Sequence, residues 1–271
     1  MAPVISKPHS HPEAAAPAGP VIDAALGRSL APRADTAPDR VSSSDDYHRR
    51  FRGRSGDYLL SVQTRGLLSL IEPLGKELRI LDIGGGHAQS ALPLAKAGHH
   101  VTILNSHAEY ELRARRECEG QDIEFLSGPL DAPPVDPGSY DLVMALRIVM
   151  HMPDWRSFVR SMCQAAGRAV LVDYPSWRSS NILEPLLFDL KRRVEGGTTR
   201  KYQLFWPREV REAFLASGFE HRASFAECFL PLVVHRMAHA PAVTGAIESL
   251  ARGLGLTGYF GSPVLTLAVR G

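Results

Sequence analysis

From residue 79 onward, short apolar runs alternate with longer stretches whose apolar positions recur every three or four residues. The runs fit strands buried on both faces and the longer stretches fit amphipathic helices, so the order predicts a parallel sheet covered on both sides. Strands are expected at 79–84, 100–105, 123–126, 140–146 and 168–174, with helices over 88–97, 108–118 and 155–166 between them. Beyond 174 the pattern changes. A long polar insertion leads to a helix near 207–217, a strand near 221–230, a helix near 242–254 and a last strand at 263–270. No internal repeat is visible.

Upstream, Ser43-Ser-Ser-Asp-Asp46 supplies helix N-cap chemistry before a segment carrying Tyr47, Phe51, Tyr58, Leu59, Leu60, Val62, Leu67, Leu68, Leu70 and Ile71. One or two helices are expected over 43–75, ahead of the sheet. Arg49, Arg50, Arg52 and Arg54 crowd positive charge into this segment, while Gly53 and Gly56 should break helical continuity. The cluster reads either as a solvated turn or as a lid whose arginines meet an anionic group. Residues 1–42 differ in kind. Ala and Pro fill 17 of the first 40 positions, which predicts a disordered tail. Pro3, Pro8, His9, His11, Pro12 and Glu13 interrupt any secretory signal core.

Composition narrows the partners. A net charge of +2 gives no footprint for a polyanion such as nucleic acid, and no run of about 18 apolar residues offers a membrane span. Cys118, Cys163 and Cys228 are odd in number and form no CxxC pair, so neither a disulfide framework nor a zinc site is suggested. Near Cys228, His235 and His239 lack a third ligand at metal spacing. A reducing cytoplasm is the expected location, with a small molecule as partner and no metal.

The chemistry concentrates at Arg79-Ile-Leu-Asp-Ile-Gly-Gly-Gly-His87, an apolar strand closing on Asp82 and a glycine turn. Gly84, Gly85 and Gly86 permit backbone angles and close ligand approach that side chains would block. A second signature follows the fourth strand: Asp141-Leu-Val-Met-Ala-Leu-Arg-Ile-Val-Met-His151-Met-Pro-Asp154. Together these motifs resemble the class I S-adenosylmethionine-dependent methyltransferases, in particular the small-molecule group that includes the ubiquinone and menaquinone pathway enzymes. The resemblance covers about residues 75–175 by motif and 205–271 by element order. It implies an α/β fold: a doubly wound, mostly parallel seven-stranded sheet with an antiparallel last strand. It also implies S-adenosyl-L-methionine as cofactor and methyl transfer to a small molecule at oxygen or carbon.

By this resemblance, Asp82 steers the cofactor's amino group while Gly84, Gly85 and Gly86 pass its methionine portion, their amides meeting its carboxylate. Leu146 joins the cofactor-binding set. Two positions depart from the family pattern. The second strand ends in Asn105 where the family places an acid for the ribose hydroxyls, leaving an amide and Ser106 to share that task. After the third strand, Ser127-Gly-Pro129-Leu130-Asp131 lacks the usual adenine-binding acid, so Leu130 is expected to face the ring. His151 is the candidate base, against a structural role bonding nearby backbone. Arg147 could orient an anionic acceptor or pair with Asp82 or Asp173. The acceptor pocket is expected from the 43–75 lid, Asp173-Tyr-Pro-Ser-Trp177 and the insertion 175–206, where Lys191, Arg192, Arg193, Arg200 and Lys201 accompany Phe188, Tyr202, Phe205 and Trp206. Two other readings stay open: a methyltransferase-like binding protein without catalysis, and a nicotinamide-dependent oxidoreductase. The latter would need a glycine where Gln89 stands.

Overall fold

The computed structural model describes residues 22–23, 28–29, 37–40, 43–44, 48–49, 51, 53–179, 202–238 and 241–271. The chain divides into two compact units, Met1–Ala31 and Pro32–Gly271. In the first, Ile22–Asp23 and Arg28–Ser29 pair as a short antiparallel ladder.

The second unit is built on seven strands: β1 (Arg79–Ile83), β2 (His100–Asn105), β3 (Ile123–Ser127), β4 (Tyr140–Ala145), β5 (Ala166–Tyr174), β6 (Phe219–Cys228) and β7 (Ser262–Arg270). Their order across the sheet is β3-β2-β1-β4-β5-β7-β6. β1 to β5 pair in parallel, and β7 runs antiparallel to both β5 and β6. The doubly wound sheet with a reversed last strand is thus the architecture expected from the sequence.

Helices cover both faces: α1 (Gly53–Ile71), α2 (Ala91–Lys96), α3 (Glu111–Glu117), α4 (Trp155–Ala165), α5 (Pro207–Leu215), α6 (Leu232–Ala238), α7 (Pro241–Gly253) and α8 (Leu256–Phe260). Successive strand residues point to opposite faces. Leu81, Ile83, Val143, Val170 and Val172 accordingly pack into one core with Phe158 of α4 and Phe214 of α5. Ile80, Leu142, Met144, Ala169 and Leu171 pack into the other with Leu67 of α1 and Leu94 of α2. Burial on both faces explains why the central strands read as nearly continuous apolar runs.

α1 differs from expectation at its glycines. Gly53 opens the helix and Gly56 lies inside it, on the buried face shared with Leu59, Val62, Gln63, Gly66, Leu67 and Leu70. A Cβ at Gly56 would come within 2.2 Å of the Phe51 backbone, and one at Gly66 within 2.3 Å of the Phe225 ring. Both glycines permit close packing rather than a break. α4 begins where expected, its first turn capped by the Asp154 carboxylate accepting the Ser157 amide at 3.2 Å.

Candidate functional site

Strand order reverses between β1 and β4, and the crevice outside the carboxyl ends of such strands is where a doubly wound sheet binds ligands. The glycine turn sits at that point. Asp82 is 2% exposed and its Oδ2 has no hydrogen-bond partner. Burial pushes its pKa up to about 7. Gly84 and Gly86 hold φ of +74° and +48°, in the region that glycine alone enters freely. A Cβ at Gly85 would lie 2.6 Å from the same Asp82 oxygen. The turn therefore places bare backbone beside an unsatisfied buried carboxylate.

The glycine amides serve a different purpose from the one expected. The Gly84 amide donates to Leu104 O at 2.7 Å and the Gly86 amide to Asn105 Oδ1 at 3.3 Å. These bonds tie the turn to the end of β2. The glycines contribute space rather than those donors. Asn105 is fully buried and its Nδ2 has no partner.

A cavity of about 30 Å³ at the turn is lined by Asp82, Gly84, Gly85 and Leu146, together with Gln63 of α1 and Arg147. His87 borders both this cavity and a larger cleft of about 1120 Å³ between α1 and α2. Another cavity, of about 520 Å³, includes Gly138 before β4 and Arg270 at the end of the reversed β7. Those positions mark the opposite end of the strands, away from the turn.

Beside the turn lies a buried polar cluster that sequence reasoning found only in part. Arg147 takes a left-handed conformation (φ +62°), a strained backbone state for a residue with a long side chain. Its amide donates to Asp173 Oδ1 at 2.5 Å, its guanidinium donates to Gln63 Oε1 at 2.7 Å, and it lies 4.3 Å from the Phe51 ring centre. Pairing with Asp173, one of the two partners expected for Arg147, is made through the backbone. Burial raises Asp173 to about 6, offset in part by Arg147. Glu227, near the end of β6, is 2% exposed and its Oε1 is unpartnered. Burial raises its pKa to about 8, with Arg147 lowering and Asp173 raising it.

The other expected residues are distributed more widely. Ser106 follows β2 and binds Asp39, a residue within the segment read as a tail: its amide donates to Oδ2 at 2.8 Å and its hydroxyl to Oδ1 at 2.5 Å. Asp39 belongs to a 3-10 turn, Pro38–Arg40, and is fully buried. Leu130 is buried in the same core as Leu104 and Phe158, and His151 closes the turn Val149–His151. Neither lines the small cavity. The near end of the insertion brackets His151, because Gln203 donates its amide to Met150 O and its side chain to Met152 O, both at 3.1 Å. Phe188, Lys191, Arg192, Arg193, Arg200, Lys201 and His239 lie outside the described residues.

One polar group was invisible at metal spacing. Glu248 of α7 joins Cys228 and His235, with candidate ligand atoms all within 4.8 Å. Its carboxylate already accepts the amides of Phe229 and Leu230, each at 2.8 Å, and pairs with His235 at 3.1 Å. Those bonds hold the turn after β6. The signal was unreadable because Glu248 lies 20 residues from Cys228, on another element.

Comparison with known proteins agrees with this arrangement. Residues 80–167 match the family model described as a methyltransferase domain. A ubiquinone biosynthesis O-methyltransferase of Methylobacterium sp. (strain 4-46) is 34% identical over 101 residues, covering 35% of this chain and 40% of that protein. A sarcosine/dimethylglycine N-methyltransferase of Halorhodospira halochloris is 31% identical over 113 residues, covering 39% and 40%. The chain thus spans about 40% of the length of these curated relatives. The crystal structure of magnesium protoporphyrin IX methyltransferase from Synechocystis PCC 6803 with bound S-adenosylhomocysteine superposes with a TM-score of 0.58 at 14% identity, covering 84% of this chain and 94% of that one. The strand order is thus that of the class I seven-stranded fold, and within it residues 80–167, which include the glycine turn, match a methyltransferase domain.

Proposed function

We propose that the protein is an S-adenosylmethionine-dependent methyltransferase acting on a small molecule at oxygen or carbon. The observation that carries this reading is Asp82: a buried carboxylate oxygen without a partner, beside a turn that side chains would fill. Such a group has a strong need for a cationic donor, and an α-ammonium answers it. When bound, S-adenosylmethionine supplies a methyl group already activated by its sulfonium.

The chain's own residues then bind, orient and move a proton. Asp82 accepts the ammonium, Gly84 and Gly86 give the ligand room, and Leu146 offers an apolar wall. Asn105, with an unpartnered buried amide nitrogen, offers a donor near the turn. Holding the acceptor in line behind the methyl group provides most of the acceleration. An acceptor that carries a proton would have to give it up to a base on the chain. His151 takes that role in this reading. Glu227 is a second candidate, favoured by its unpartnered oxygen and a pKa near the operating range.

The relatives' names include both an O- and an N-methyltransferase, so the preference for oxygen or carbon rests on the presence of a base. Location in a reducing cytoplasm belongs to the same reading, supported by three free, buried cysteines. Among the described residues no helix is long and apolar enough to cross a membrane. The test is incubation of the full chain with methyl-labelled S-adenosylmethionine and a small-molecule cell extract. Label in an extractable small product supports the proposal. Cofactor binding without transfer from any extract would favour a methyltransferase-like binding protein instead.

A further inference from the structure

Where β6 ends, three elements bring a thiol, an imidazole and a carboxylate together. Cys228 is the last residue of β6, His235 lies in α6 and Glu248 in α7. Their candidate ligand atoms all fall within 4.8 Å of one another, and each residue is at most 2% exposed. Solvent therefore does little to satisfy them. His235 pairs Nε2 with Glu248 Oε1 at 3.1 Å, while its buried Nδ1 has no partner. Cys228 is a free thiol. The Glu248 carboxylate is fixed in direction by the Phe229 and Leu230 amides, each donating at 2.8 Å. Carboxylates that ligate metal ions are commonly held by hydrogen bonds of this kind.

We propose that Cys228, His235 and Glu248 form a structural zinc site that takes one ion per chain. The proposal is independent of the cofactor reading above. Thiolate, imidazole and carboxylate together suit zinc, whereas magnesium or calcium would take oxygen ligands. A tetrahedral zinc with bonds of about 2.0–2.3 Å sets its ligand atoms about 3.3–3.8 Å apart, so the widest separation here needs to close by about 1 Å. The His235–Glu248 pair is already near that spacing. Charge favours the same occupant. One thiolate and one carboxylate offset a divalent ion, and a neutral group is far cheaper to bury than a charged one. Binding forms a zinc–sulfur bond and releases the Cys228 proton to solvent. A water completes the fourth position.

The role is that of a clasp. None of the cavities described above is lined by these three residues. The Tyr58 ring of α1 stacks on His235 with ring centres 5.5 Å apart, and Cys228 packs with Leu59 and Val62 of the same helix. An ion here ties the end of β6 to α6 and α7 beneath α1, so its binding free energy enters the stability of the fold. The site escapes a reading by spacing because its third ligand comes from a separate helix.

The test uses the full chain prepared without a histidine tag, with His9 and His11 replaced by Ala so that the tail does not retain the ion. Chelator-treated protein is titrated with zinc in competition with a chromophoric chelator. One equivalent should bind and raise Tm by mass action. Cys228→Ala, His235→Ala and Glu248→Gln should each weaken that affinity by at least about 10- to 100-fold. Cys118→Ala and Cys163→Ala, which remove the other two buried thiols, should leave it unchanged. Should the three site variants fail to fold, cobalt(II) bound to the unsubstituted site decides: one equivalent should give a thiolate-to-cobalt charge-transfer band in the near ultraviolet. Zinc bound with unchanged affinity by folded Cys228→Ala or His235→Ala would overturn the proposal. Cobalt bound without the band, or a chain that takes up no zinc, would overturn it as well.

Discussion

Replacing Asp82 with Asn should stabilise the empty protein at high pH while damaging its ability to bind the cofactor. The carboxyl has an ordinary pKa of 3.8 and is raised to about 7 by burial. Between those values the folded protein keeps a proton that the unfolded chain has released, so stability falls as pH rises. The contribution is fully present below pH 3.8 and lost as pH passes through about 7. At ~1.4 kcal/mol per pH unit the loss is about 4 kcal/mol, of which about 3 falls between pH 5 and 8. An asparagine does not titrate and lacks this slope. Asp173 and Glu227 are raised by burial in both proteins and cancel in the difference. Urea unfolding of wild type and Asp82→Asn at pH 5 and pH 8 reads the effect directly. The variant should gain about 3 kcal/mol on the wild type across that interval, or about 6–12 °C in Tm. S-Adenosylhomocysteine at pH 8 should recover stability in the wild type and much less in the variant. Parallel pH profiles for the two proteins would refute the argument that Asp82 is buried without a partner.

Three further outcomes are expected. Gly84→Val forces a branched side chain to φ +74° and towards the Ile148 side chain, 2.5 Å from the new Cβ. Strain of about 1–3 kcal/mol, added to a filled cradle, should abolish S-adenosylhomocysteine binding by calorimetry while circular dichroism shows a folded protein. Gly66→Leu drives a side chain into the Phe225 ring and should lower unfolding free energy by about 1–3 kcal/mol in urea titrations. His151→Ala should spare cofactor affinity and lower turnover by about 10²- to 10⁴-fold with any identified acceptor. Unchanged turnover there would return His151 to a structural role, and the same assay on Glu227→Gln then decides whether that carboxyl takes the proton.

What could be read in advance depended on the range of the interaction. Strands β1, β2, β4 and β5 and the turn at Gly84 to Gly86 announce themselves because each is a local pattern: a strand largely buried on both faces, then glycines at positive φ. α1 was legible as an apolar stripe, but Gly53 and Gly56 misled. Their purpose is contact with Phe51 and the start of the helix, which residue preference alone does not distinguish from a break. The polar half of the site was harder to read. Asp39, Gln63 and Glu227 come from a composition-biased segment, an amphipathic helix and an edge strand, and each owes its place to tertiary packing. Asn105 and Leu130 follow only from the resemblance to the family pattern. The structure turns the Asn105 oxygen into the glycine turn and places Leu130 in the core.

The central claim is that the turn at Asp82 to Gly86 holds the methionine end of S-adenosylmethionine. Calorimetric titration of the full wild-type chain at pH 8 with S-adenosylmethionine, and separately with NADH, tests it most directly. The account predicts saturable binding of the first and none of the second. Saturable binding of NADH alone, or silence with both, would contradict it.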